Sequence, residues 1–208
     1  MTGILALQGG GPFAANDELD RRLIAAAGAD RVVVLPTADA YEHPERLIEA
    51  AMGWGERLDV LVEALMVMRR SEAMDDSAGA VVRGARAVYL VGDQPLPLRS
   101  VLKATPLWDA ICQIVADGGV VAATGGSAAA MCDPMVDPRG GAFTLGLGLI
   151  DGLALVTEAE TWSTDRLHRT LKLANTPIVE LPSGSALVHS AQGWERVGEM
   201  TVHGDLPN

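Results

Sequence analysis

Short runs of unbroken apolar character constrain this chain more than any other feature: residues 4–8, 32–36, 60–67, 87–91 and 120–124. A strand with one face in water alternates apolar with polar residues. These runs do not, so both of their faces must be covered, which calls for a mostly parallel sheet with helices on each side. The segments between them carry helical punctuation. Asn16 is placed to cap a helix through Leu19, Leu23 and Ile24 that stops at Gly28, and Pro44 stands at the first position of the next. Thr105-Pro106 repeats the device ahead of Leu107, Ile111 and Ile114, and Ser163 is placed to cap a helix over 164–174. Residues 68–85 show no clear pattern, and 132–148, rich in Gly, Pro and Asp, reads as a loop beside the site. Further strands are expected near 153–157, 178–181, 186–189 and 196–202, with A-Q-G-W turning the last two into a hairpin. At 208 residues, with no internal repeat or low-complexity linker, the expectation is one α/β domain spanning 1–208.

The charge balance of 16 basic against 27 acidic residues, formally −11, argues against nucleic acid and anionic membrane as partners. A small ligand or a protein is expected instead, and a homodimer is compatible with the composition. The start M-T-G-I-L-A-L-Q has no basic leader and no apolar run reaches a membrane span, which places the chain in the cytoplasm. Cys112 and Cys132 lack any C-x-x-C or Cys/His spacing, and Asp133 and Asp137 each precede proline as turn residues do. No metal or cofactor is expected.

The chemistry centres on V-V-A-A-T-G-G-S-A-A-A-M, residues 120–131. A strand ends at two glycines, a serine follows and an alanine-rich helix begins, the pattern of a strand-to-helix elbow with Ser127 as candidate nucleophile. The Ala128 N–H would face an oxyanion at that serine. A capped turn with no chemistry reads equally well, since the last flank is Ala129 where the G-x-S-x-G form has glycine. Gly92 ends a neighbouring strand in L-V-G-D-Q and offers a second oxyanion donor, with Asp93 and Gln94 beside it. The run Gln8-Gly9-Gly10-Gly11 lacks dinucleotide or P-loop spacing, so Gly10 is read as backbone lining the crevice. Arg139 is a candidate clamp for a substrate carboxylate, against the default of a surface salt bridge.

Taken in order, L-Q-G-G-G, V-V-V-L-P-T-A, L-V-G-D-Q with L-R-S-V-L, G-G-S-A-A-A-M and G-L-G-L-I resemble the aspartyl dipeptidase and cyanophycinase family of serine peptidases over nearly the whole chain. The resemblance implies a class I glutamine amidotransferase-like fold, a flavodoxin-like three-layer sandwich. It also implies hydrolysis of an amide next to an aspartyl residue by a serine with a histidine base and an orienting glutamate. On this resemblance Ser127 matches the nucleophile, and Gly92 and Ala128 the oxyanion positions. The other two triad positions depart from the pattern: Glu158 stands at the histidine position, or Glu160 if the segment slips by two, and Ser183 at the glutamate position.

Of the four histidines, His43, His168, His189 and His203, none sits where a base is needed, and Lys103 and Lys172 lie in helical segments away from the elbow. A buried Glu158 or Glu160 with a raised pKa remains as a substitute base. Two readings follow. One is a serine hydrolase of small acidic peptides with an incomplete triad; the alternative is an inactive relative that keeps the pocket for a ligand or partner.

Overall fold

A computed structural model describes residues 2–207. The chain runs β1 (Ile4–Gln8), α1 (Asp17–Ala27), β2 (Arg31–Leu35), a 3₁₀ turn (Thr37–Asp39), α2 (Pro44–Leu58), β3 (Leu61–Ala64), α3 (Arg70–Ala73), α4 (Asp76–Arg83) and β4 (Ala87–Leu90). It continues through α5 (Pro95–Leu102), α6 (Pro106–Ala116), β5 (Val120–Thr124), α7 (Gly126–Met131), and four two-residue strands, β6 (Cys132–Asp133), β7 (Met135–Val136), β8 (Phe143–Thr144) and β9 (Ile150–Asp151). The last part holds β10 (Ala154–Thr157), a second 3₁₀ turn (Ala159–Thr161), α8 (Thr164–Leu173), β11 (Ile178–Leu181), β12 (Ala186–Ser190), β13 (Gly193–Val197) and β14 (Thr201–His203).

The seven-stranded central sheet has the order β13-β12-β1-β5-β4-β2-β3. β1 to β5 are mutually parallel, and the β12–β13 hairpin adds antiparallel to β1. Alternate residues of each strand feed two separate cores, which explains the unbroken apolar runs. Leu5, Leu7, Val33, Leu35 and Val121 pack against α4, α5 and α6 through Val82, Leu98, Leu102 and Ile111. Ala6, Val32, Val34 and Tyr89 pack on the opposite face against α1 and α2 through Leu23, Ile24, Trp54 and Leu58. The result is the expected flavodoxin-like α/β sandwich of three layers.

The local signals mostly act as read. Thr105 Oγ1 accepts from Trp108 N–H at 3.2 Å, Ser163 Oγ accepts from Arg166 N–H at 3.3 Å, and Gly28 closes α1 in the left-handed conformation. Asn16 is the N-cap residue of α1, but its side chain makes no capping bond; its amide reaches Gln8 Oε1 at 3.5 Å. The unclear stretch 68–85 holds α3, four residues and too short to show helical periodicity, and α4, whose buried face is Ala78, Gly79 and Val82, two of them too small to give a strong apolar signal. The run 60–67 forms a strand only over Leu61–Ala64. The loop expected over 132–148 contains β6, β7 and β8.

The strand expected over 196–202 is two elements. Gly198, at φ 76°, breaks the run, so β13 finishes the central sheet while β14 leaves for a second sheet of order β10-β11-β14. That sheet buries Ala154, Val156 and Ile178 under Trp162, Leu167 and Leu171, the latter two on α8. Among the described residues no helix is long and apolar enough to cross a membrane.

Candidate functional site

Parallel strands deliver their C-terminal ends to one sheet edge, where connections to opposite faces leave a crevice. Here that edge gathers Gly9 and Gly10 after β1, Asp39 after β2, Gly92 and Asp93 after β4, and Gly125 after β5. The second sheet closes one side. Glu158, at the end of β10, donates its N–H to Gly9 O at 2.9 Å, and Gly9 N–H reaches Ser185 O at 2.9 Å. A Cβ on Gly10 would lie 2.6 Å from Glu158 Cγ and 2.8 Å from Ser183 Oγ. The sequence-derived Gly10, Glu158 and Ser183 therefore meet, and glycine at 10 leaves room for the other two.

The elbow itself turns at Gly125, with φ 64° and ψ −132°. In a nucleophile elbow the nucleophile occupies this sharp, strained strand-to-helix position. Here it has no side chain, and a Cβ added to Gly125 would sit 2.7 Å from Asp93 Oδ1. Ser127 lies two residues on, in the first turn of α7, and is 0% exposed. Its N–H donates to Gly92 O at 2.9 Å and its hydroxyl donates to the same carbonyl at 3.3 Å. Ala128 N–H is engaged by Gly125 O at 3.0 Å, whereas the N–H groups of Gly92 and Gly126 meet no acceptor among the described residues.

Among the described residues no imidazole hydrogen-bonds to Ser127. His43 is exposed beside Glu45, His203 contacts Glu180 at 2.5 Å, His189 stands edge-on to Trp194, and His168 is exposed on α8. Lys103 Nζ donates to Leu147 O at 2.9 Å, and Lys172 is exposed.

Carboxylates dominate what remains. Asp39 Oδ1 accepts from Asp93 N–H at 2.8 Å. Burial raises the Asp93 carboxyl, and the nearby Asp39 charge adds to it. Burial likewise raises Asp39, offset in part by the Asp93 N–H. Glu158 is raised by burial, then by Asp93, Glu160 and Asp39. For Glu160 burial acts upward, but the outcome is a lowered pKa because Ser183 hydrogen-bonds to it; the Ser183 N–H lies 3.2 Å from each oxygen. Gln94 caps the start of α5 and has no side-chain cap bond. Arg139 forms a two-point ion pair with Asp137 on the exposed β7–β8 turn, at 3.0 and 2.7 Å. Among the described residues no group of His, Cys, Asp and Glu is arranged to hold a metal ion.

Two features escaped the sequence. Asp39 follows the strand end in V-V-V-L-P-T-A-D and was legible as a turn residue at the sheet edge. The positive-φ position of the strand-to-helix turn is Gly125, two residues before Ser127, and only the backbone dihedral shows which residue takes it.

Fold and strand-end residues together define an α/β protein of the flavodoxin-like class. No protein-family model matches the chain, and no curated protein matches it. Among solved structures it is similar to a peptidase from an acI-B1 actinobacterium, at 25% identity and a TM-score of 0.86 over 98% of this chain and 90% of that one. It is also similar to a candidate peptidase E protein from Listeria monocytogenes EGD-e, at 17% identity and a TM-score of 0.72 over 98% of each chain, a likeness of fold alone.

Proposed function

We propose that this chain is a peptidase-fold protein that binds a small ligand in the strand-end crevice and does not hydrolyse it through Ser127. The observation that carries this reading is the elbow: its strained position is Gly125, while Ser127 is buried in the following helical turn. A serine hydroxyl is a weak nucleophile without an adjacent base. The Ser127 hydroxyl donates to the Gly92 carbonyl, which cannot act as a general base. Loss of a triad's base or nucleophile costs on the order of 10⁶ in kcat.

The ligand follows from the walls. Carboxylates of Asp39, Asp93 and Glu158 oppose the acidic peptide that the family resemblance implies and favour a ligand bearing an ammonium group.

The similarity to solved peptidases favours a second reading, hydrolysis with Ser127 as nucleophile and Glu158 or Glu160 as base. An activated fluorophosphonate separates the two. The parent protein and Ser127→Ala are both expected to keep their unmodified intact mass. Labelling of the parent that disappears in Ser127→Ala would establish the hydrolase and overturn the binding-only reading.

A further inference from the structure

Beneath the crevice, buried side chains form a hydrogen-bond network with a carboxyl group at one end and the strand ends at the other. Asp20, on α1, accepts from Gln8 Nε2 at 2.6 Å and Tyr89 Oη at 3.1 Å on one oxygen, and from Trp54 Nε1 at 3.1 Å on the other. Gln8 directs its amide oxygen the opposite way, where it accepts from Thr124 Oγ1 at 2.9 Å and Asn16 Nδ2 at 3.5 Å. Its main-chain carbonyl accepts from Gly125 N–H at 3.1 Å. Gln8 and Thr124 are the last residues of β1 and β5, and the glycines that follow them line the crevice. A second route leaves Asp20 through Trp54, whose ring packs on Phe13 in the loop between β1 and α1, with centroids 5.2 Å apart.

All three partners of Asp20 donate, so the arrangement suits a carboxylate and gives a carboxylic acid no acceptor for its proton. Trp54 Nε1 has no lone pair to offer. Tyr89 would need a new acceptor for its own hydroxyl, and none but Asp20 meets it among the described residues. Gln8 is the partner that can reverse. Half a turn of its amide brings Oε1 to the Asp20 O–H and Nε2 to Thr124 and Asn16, whose side-chain oxygens can accept.

We propose that protonation of Asp20 turns the Gln8 amide and so reverses the hydrogen bonds at the ends of β1 and β5, making the floor of the crevice responsive to pH. The inference rests on the strand-end crevice being the working site. The proton comes from solvent, and no bond between heavy atoms changes.

The surroundings leave Asp20 as the group that titrates. Burial keeps the Tyr89 phenol protonated well past its ordinary range. Asp17, on the same helix, adds a negative charge and is itself paired with Arg57 of α2 at 3.1 Å. The neighbouring core positions on β2, β5 and β12 are Val34, Ala122 and Val188, without charge. Burial lifts the Asp20 carboxyl to about 6, so the change falls near neutral pH rather than in acid.

Amide resonances of the ligand-free chain, followed from about pH 4 to pH 8, test this. The Gln8 side-chain amide and the Gly125 N–H should move together with a midpoint at about 6. In Asp20→Asn both should stay near their low-pH positions throughout. Tyr89→Phe deletes a donor to the carboxylate and should move the midpoint upward. Signals that stay flat in the parent, a titration that survives unchanged in Asp20→Asn, or a midpoint that Tyr89→Phe leaves in place or lowers would each overturn the proposal. An intact titration in a chain that binds no lysyl dipeptide would support it and remove only the ligand reading.

Discussion

Asp20 offers the most quantitative test of how the elbow is supported. It projects from α1 into the core, is 1% exposed, and has no cation beside it. Gln8 Nε2 donates to it at 2.6 Å, Tyr89 Oη at 3.1 Å and Trp54 Nε1 at 3.1 Å. Gln8 in turn accepts at 2.9 Å from Thr124, the residue before the elbow glycine. Burial pushes the carboxyl from 3.8 up to about 6, against the pull of those three donors. The folded protein therefore holds this proton more tightly than the unfolded chain. The contribution to stability is complete below about pH 4 and is lost as pH rises through about 6. A pKa difference of this size corresponds to about 3 kcal/mol.

Asp20→Asn removes the titration while keeping the volume. In urea unfolding series from pH 4 to pH 7, the stability of the variant relative to the parent should move in the variant's favour by about 2.5 kcal/mol, the unfolded carboxyl being already partly ionised at pH 4. A difference that stays flat across that range, or that moves in favour of the parent as pH rises, would refute the argument that burial outweighs the donors.

The elbow glycine should be intolerant of a side chain. Gly125→Ala meets both the left-handed backbone and the Asp93 carboxylate, and should cost about 1–3 kcal/mol in chemical unfolding; a cost below about 0.5 kcal/mol would mean that the strained position lies elsewhere. For the ligand, isothermal titration should detect a lysyl dipeptide more strongly than an aspartyl dipeptide, with Glu158→Gln narrowing the gap. Tighter binding of the aspartyl peptide would show that the carboxylates do not set the preference.

Much of the architecture was written locally. Runs such as Val120–Thr124, apolar on both faces, require cover on both sides, and a helix-flanked parallel sheet supplies it. Thr105-Pro106, Ser163 and Gly28 mark helix ends through bonds and dihedrals that involve only their chain neighbours. Where the signal was short, reading failed: the four residues of α3 show no periodicity, and Gly198 looks like a residue within a strand until the chain is seen to change sheets there.

The site divides in the same way. Sequence alone determined that a strand, two glycines and a serine would stand at a sheet edge with Gly92-Asp93 nearby, because strand order along the chain and the direction of parallel strands are enough to bring those ends together. It could not determine which residue turns the corner. Gly125, Gly126 and Ser127 are all buried and differ there by backbone conformation, with Asp93 and the Gly92 carbonyl packed against the turn. The convergence of Asp39, Asp93 and Glu158 was likewise a tertiary decision: they are far apart in sequence, and only folding buries Asp93 beside Asp39, and Glu158 beside both, so that burial first and then those charges raise the Asp93 and Glu158 pKa values.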